Sequence, residues 1–260
     1  MQTKEIVIKH SDSGCCTVTL NRPSKRNCVS LSMWGDLEKI FHTLNADRSV
    51  RTIILTGAGG HFSSGADISE FEKLRNDPKT AEQYESVAER ALLAIRHCSK
   101  PTIAAISGVC VGGGCSLALA CDLRIADRTA RIGITASRIG IVYSQLELTL
   151  LLSAVSLTNA KRIMFIGEIF PAELAHQIQL VNELADDSIS KAIAISNQIA
   201  ENAPLSVSGA KFILSALHSG HAASQAGEIA RRVSEAVESH DYTEGRRAFS
   251  EKRRPRFSGK

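Results

Sequence analysis

Aromatic residues are scarce, at 5% of 260 residues, and near the C-terminus only Phe249 and Phe257 stand among the basic residues. That argues against the stacking surface a single-stranded nucleic acid needs, so no nucleic-acid partner is expected. Between Met1 and Lys9 no basic stretch precedes an apolar run, so no secretory signal is expected. Linkers, internal repeats and low-complexity segments are also missing, which favours one folded unit over tethered modules. The phosphate-binding pattern GxxxxGK[ST] is absent, Gly57-Ala58-Gly59 lacks the third glycine of a dinucleotide fingerprint, and Ser116 lies in no GxSxG elbow. Seven cysteines, an odd number that includes the adjacent Cys15 and Cys16, do not suggest a disulfide framework. They read as small buried residues in a reducing, cytoplasmic compartment. Nothing in the sequence suggests a metal site.

What is present is ordinary for a globular chain: 43% hydrophobic and 22% charged residues with a net charge of +4. From Thr102 to Cys121 no residue is charged, a length that rivals a membrane span of about 20 residues. Pro101, Gly108 and Gly112–Gly114 break that run, so a buried strand, a glycine turn and a buried helix are expected, and no membrane partner. Strands are predicted at Glu5–Lys9, Thr17–Leu20, Arg51–Thr56, Thr102–Ile106 and Leu123–Ile125. Helices are predicted at Ser32–Asn45, Pro78–Cys98 and Gly112–Ala120, with the first turn of another near Asp67. Beyond Gln145 helices dominate, including Ser188–Glu201, Pro204–Leu217 and Ala222–His240. The expected organisation is a core over residues 1–200, followed at 201–260 by a helical oligomerisation region and a basic tail.

Two glycine turns offer backbone N–H groups to chemistry. One runs through Gly59-Gly60-His61-Phe62-Ser63-Ser64-Gly65-Ala66-Asp67-Ile68, the other through Gly108 to Ser116 with three consecutive glycines. Each precedes an expected helix start, where free N–H donors and the helix dipole favour negative charge. Glycine content alone is equally compatible with plain tight turns.

These turns carry a family resemblance. Phe62–Ile68 resembles the F-(S/A)-(S/A)-G-A-D-(I/L) turn of the crotonase (enoyl-CoA hydratase/isomerase) superfamily. Lys100–Asp122 is similar to its K-P-x-I-A-A-(I/V)-x-G-x-x-x-G-G-G turn and helix. Arg22–Asn27 resembles the loop at the site entrance, and Phe249–Arg253 the C-terminal F-x-E-K-R. The resemblance implies an α/β fold, a crotonase-like spiral of ββα units with a C-terminal helical trimerisation subdomain. It also implies an oxyanion hole formed by the N–H groups of Ala66 and Gly113, holding the enolate of an acyl-CoA thioester. Coenzyme A would come as part of the substrate, with no prosthetic group. Lys25 and Arg26 would approach its phosphates, and Ser64, Asp67 and Ile68 its adenine. Phe249 and Lys252 would meet a coenzyme A bound to a neighbouring subunit of a homotrimer or homohexamer.

The family's two acid/base glutamates fall on Ser116 and Ala136, so plain hydration is not expected. Thr135–Tyr143 is similar to the T-P-x-x-L-G-x-P-Y element of methylmalonyl- or ethylmalonyl-CoA-type decarboxylases, carrying over Thr135 and Tyr143. Three functions therefore stay open: an enolate-forming lyase or isomerase with altered acid/base groups, a decarboxylase, and a binder without catalysis. Three further side chains each carry two readings. Glu147 is either a replacement carboxylate or a helix-start group compensating the dipole. Arg138 is a grip for a substrate carboxylate or a solvated cation, and His61 an acid/base or a turn residue.

Overall fold

In the computed structural model, which describes residues 4–71 and 77–260, the most apolar segments become the central strands. The strands are β1 (Ile6–His10), β2 (Cys15–Leu20), β3 (Thr52–Gly57), β4 (Thr102–Ile106), β5 (Val109–Val111), β6 (Leu123–Asp127), β7 (Arg131–Gly133), β8 (Ile169–Pro171) and β9 (Glu183–Ala185). A six-stranded sheet has the order β1-β2-β3-β4-β6-β9. Only its β1–β2 pair is antiparallel. A smaller sheet, β5-β7-β8, is extended by single parallel bridges from Ser63 to Cys110 and from Val29 to Ala66.

The helices are α1 (Leu31–Ala46), α2 (Pro78–Arg96), α3 (Gly113–Ala120), α4 (Gln145–Leu152), α5 (Leu157–Ile166), α6 (Ala172–Gln177), α7 (Ser188–Ala200), α8 (Pro204–His218), α9 (Ala226–Glu238) and α10 (His240–Ser250). A long strand, a short stretch in the small sheet and a helix recur as β2, Val29 and α1; β3, Ser63 to Ala66 and α2; and β4, β5 and α3. This is the ββα spiral of the crotonase-like α/β fold that the sequence motifs implied.

Burial on both faces explains why the central strands are continuous apolar runs rather than alternating ones. Along β3, Ile53 and Leu55 join the larger core with α1, α2 and α3, while Ile54 points into a second cluster beneath α7. On β4, Ala104 and Ile106 face the larger core, and Ile103 and Ala105 the second. In α1 the side chain of Ser30 accepts from the Met33 N–H and caps the helix start, and Trp34, Leu37 and Phe41 follow on the buried face. Pro78 opens α2 behind an Asp77–Thr80 capping box, which fixes the helix whose Tyr84, Ala88 and Leu92 lie four residues apart on one face.

The charge-free segment resolves into β4, β5 and α3, and among the described residues no helix is long and apolar enough to cross a membrane. The expected helix start near Asp67 opens with a 3-10 turn, Ile68–Glu70, capped by Asp67, and Phe71 is helical; its continuation lies outside the described residues. The helix expected over 222–240 is shorter, Ala226–Glu238, and stops at extended Ser239, whose hydroxyl accepts from Tyr242 N–H to start α10. Nor is the basic tail merely solvated. Arg253 forms a two-pronged ion pair with Glu244 at 2.6 and 2.9 Å, and the N–H groups of Ser258 and Gly259 donate to buried Asp241 at 2.7 Å each. The basic residues fold back because α10 carries the carboxylates that partner them.

Candidate active site

The two glycine turns meet. In the first, the buried amide of Asn27 donates to the carbonyls of Ala58 and His61 and its oxygen accepts from Arg22 N–H, tying the turn to the loop before α1. Val29 N–H donates to Gly65 O and Asp67 N–H to Val29 O, so the chain forms ladder bonds on either side of Ala66. The Ala66 N–H itself has no acceptor among the described residues. In the second turn Gly112 N–H donates to Gly133 O, and Gly113 begins α3 with its own N–H equally without an acceptor there. Gly65 has φ +95, and a Cβ on it would lie 2.7 Å from Val111 O and 3.2 Å from Gly113 N. A Cβ on Gly113 would lie 3.5 Å from Ala66 N. Only glycine permits this approach, so the sequence requirement and the neighbouring positions of the two donors have one cause.

Both donors line a cavity of about 100 Å3 whose walls include Trp34, Tyr84, Leu92 and Ile141. Trp34 Nε1–H donates to the Tyr84 hydroxyl at 3.2 Å and Tyr84 meets Phe71 edge-on, which fixes the aromatic wall. Thr135, Ala136, Tyr143, Glu85 and Glu147 also border the cavity. Ser116, buried on α3, donates its hydroxyl to Glu147 Oε1 at 2.8 Å. Glu147 Oε2 accepts from Ser144 N–H at 3.3 Å, completing the capping box of α4. Burial is the main force raising the pKa of Glu147 above its ordinary value. The Ser116 and Ser144 hydrogen bonds oppose that rise, while Glu85 and Glu89 across on α2 reinforce it. Tyr143 is held neutral, first by burial and then by the adjacent Glu147 charge.

Of the side chains singled out from sequence, Ser64, Ala66, Ile68, Gly113, Thr135 and Tyr143 border this cavity, and Ser116 stands behind Glu147. Lys25 and Arg26 lie on the exposed loop next to it, with Arg26 in the left-handed region at φ 49. Asp67 faces inward: it accepts from Arg22 at 2.9 Å, Lys25 at 3.2 Å and the Ser69 hydroxyl at 2.6 Å. The Ser69 bond, ahead of the two cations and against the cost of burial, holds its carboxyl well below the usual range. Phe249 and Lys252 are elsewhere, at the end of α10, where Phe249 is 88% exposed beside a groove between α8, α9 and α10.

The acid/base reading of His61 is not supported, since its Nδ1 accepts from Val109 N–H at 3.2 Å and pins the first turn to β5. Arg138 is exposed and packs near Gly167, outside the cavity lining, so it is not placed to grip a substrate there. Glu147 caps α4 with one oxygen and faces Ser116 with the other. Glu85 and the Trp34–Tyr84 wall were missed. Their only sequence signal was the position of Tyr84 and Ala88 on the same helix face as Leu92.

Two neighbouring backbone donors at glycine turns, set in an apolar cavity with a carboxylate, define an oxyanion-holding α/β enzyme class. The comparisons name it: residues 10–260 match the enoyl-CoA hydratase/isomerase family. A peroxisomal Delta(3,5)-Delta(2,4)-dienoyl-CoA isomerase of Arabidopsis thaliana is 31% identical over 99% of this chain and 97% of its own length. An enoyl-CoA hydratase of Alternaria alternata is 32% identical over 94% of this chain and 83% of its own. The crystal structure of an enoyl-CoA hydratase/carnithine racemase from Magnetospirillum magneticum superposes with a TM-score of 0.94 at 35% identity, covering 100% of this chain and 97% of that one. The chain belongs to the enoyl-CoA hydratase/isomerase family, within the crotonase superfamily.

Proposed function

We propose that the protein binds an acyl-CoA thioester and stabilises the enolate of its acyl group, with the N–H groups of Ala66 and Gly113 as donors to the thioester oxygen. The observation that carries this reading is the pair of N–H groups, without an acceptor among the described residues, at abutting turns on the wall of one cavity. Donors fixed before the reaction act where charge develops, and one such donor is worth roughly 3 kcal/mol of barrier. The Gly113 donor also sits at the positive end of α3. Lys25 and Arg26 are the proposed phosphate contacts, with Ser64, Ala66, Asp67 and Ile68 around the adenine; no prosthetic group is required. Exposed Leu214, Leu217, Val233 and Val237 on α8 and α9 support self-association as a trimer or hexamer, bringing Phe249 and Lys252 to a neighbour's coenzyme A.

Decarboxylation is favoured by one observation, the shared placement of Thr135 and Tyr143 on the cavity wall. Charge weighs against it: a malonyl-type carboxylate would enter beside Glu147 and Glu85, while Arg138 lies outside. Proton transfer at carbon is the better fit. Incubation in heavy water with crotonyl-CoA, a 3-enoyl-CoA and methylmalonyl-CoA, followed by mass measurement, separates deuterium uptake, water addition and loss of carbon dioxide. Deuterium uptake is expected with the enoyl thioesters. Gly113→Pro, which deletes the N–H at a helix position that tolerates proline, is expected to slow it about 100-fold or more. Unchanged exchange in that variant refutes the proposed hole.

A further inference from the structure

We infer that the catalytic base has moved to Glu147, with Ser116 as its positioning residue, and that the reaction it serves is a double-bond shift converting a 3-enoyl-CoA into a 2-enoyl-CoA. This inference rests on the enolate reading above and assigns the chemistry of the same cavity.

The argument begins with what the site lacks. Ser116 and Ala136 stand at the family's two acid/base positions, and neither side chain titrates near neutral pH. Among the described residues, the carboxylates bordering the cavity are Glu85 on α2 and Glu147 on α4. Glu147 is tied to the older arrangement by the 2.8 Å bond from Ser116 Oγ to its Oε1. A carboxylate absent from α3 is thus supplied from α4, one hydrogen bond farther along the same line of approach. Its other oxygen is fixed by Ser144 N–H, so the group is held at both ends.

A base must also be able to take and return a proton. The groups facing Glu147 are Ser116 and Tyr143, both hydroxyls, and Glu85 and Glu89 from α2. Burial and two like charges favour the protonated form once it has been generated, which suits a group that shuttles one proton.

One carboxylate suffices for the double-bond shift. Glu147 takes a proton from the carbon next to the thioester carbonyl. The C–H electron pair becomes a carbon–carbon double bond of the dienolate, and the negative charge settles on the thioester oxygen between the Ala66 and Gly113 donors. The Glu147 carboxyl, which exchanges its proton with solvent during turnover, then delivers a proton to the far carbon of the former double bond, leaving the new double bond conjugated with the carbonyl. No water, oxidant or second acid enters the balance. Hydration would need a water held between two carboxylates.

The test uses the intact protein, a 3-enoyl-CoA substrate and absorbance of the conjugated product, with deuterium uptake from heavy water as a second readout. Glu147→Gln keeps the capping box, since glutamine serves equally at that position. It is expected to lower turnover by about 100-fold or more with KM little changed. Glu147→Asp, which shortens the reach, should retain part of the activity. Ser116→Ala should lower kcat and move the acidic limb of the pH profile upward, because the hydroxyl stabilises the charged carboxylate. Glu85→Gln should move that limb downward by removing a like charge. A Glu147→Gln enzyme within about threefold of wild type overturns the assignment while leaving the enolate reading intact. Wild-type protein that exchanges no deuterium into any acyl-CoA overturns both. Equal hydration and isomerisation rates that fall together in Glu85→Gln overturn the one-carboxylate reaction.

Discussion

A methyl group at Gly65 tests the link between the fold and the proposed oxyanion hole. Gly65 has φ +95, and its added Cβ would meet Val111 O at 2.7 Å and Gly113 N at 3.2 Å. Gly60 offers a matched control: its φ is +76, yet a Cβ there meets nothing within 4 Å. Both substitutions to alanine carry the left-handed backbone penalty of about 1–2 kcal/mol, which lowers Tm by roughly 2–8 °C in a chain of this size. Only Gly65→Ala must also push the second turn away, because a 2.7 Å contact with a backbone oxygen has no flexible side chain to absorb it. Displacing the Gly113 donor removes about one oxyanion contact, a loss of roughly 100- to 1,000-fold in turnover. Thermal melting and deuterium exchange into an enoyl-CoA are measured on both variants. The expected pattern is two destabilised proteins of which only Gly65→Ala is catalytically impaired. Equal activity in folded Gly65→Ala and Gly60→Ala refutes the claim that close approach of the turns sets the donors.

Asn27→Ala strands the carbonyls of Ala58 and His61 and the Arg22 N–H; an expected loss of about 2–4 kcal/mol is read by urea unfolding. Glu147→Gln should stabilise the protein near neutral pH, measured as Tm against pH. The folded-state pKa of Glu147 is raised above 4.5, so the proton-linked stability it contributes is complete below that value and is lost as pH rises through the folded pKa. Glutamine does not titrate, so its advantage should vanish under acid conditions and grow toward neutrality; an advantage independent of pH refutes the assignment of burial as the cause.

Legibility in the sequence followed element length and the distance between partners. The segments β3 and β4 were readable because burial on both faces makes them uninterrupted apolar runs, and α1 because six buried side chains recur at helical spacing. By contrast β5, β7, β8 and β9 have three residues each, too few to establish a period of two. Both glycine turns were visible as motifs, but their contact was not, since Gly65 and Gly113 approach only after β3, β4 and β5 pair. For the carboxylate the obstacle was local. Ser144-x-x-Glu147 has the form of a capping box, so a helix start accounts for Glu147 fully until the fold brings Ser116 to its other oxygen. Arg138 and His61 show the converse, since being near a motif in the chain did not place them in the cavity.

If Glu147 is the base proposed above, its place in the capping box of α4 would let it serve catalysis without a new scaffold. A glutamate at the third position of a helix is held by the cap hydroxyl and by the N–H it accepts from, so its rotamer is fixed before any substrate arrives. The helix dipole favours its charged form, whereas burial and the carboxylates on α2 favour its protonated form. With burial dominant, its pKa lies above that of an ordinary surface glutamate. With serine rather than glutamate at position 116 there is no competing negative charge on α3, and the Ser116 hydroxyl donates to Glu147. On this account, glutamate restored at position 116 should impair the enzyme: two carboxylates within hydrogen-bond reach of each other would share one proton and leave Glu147 misdirected.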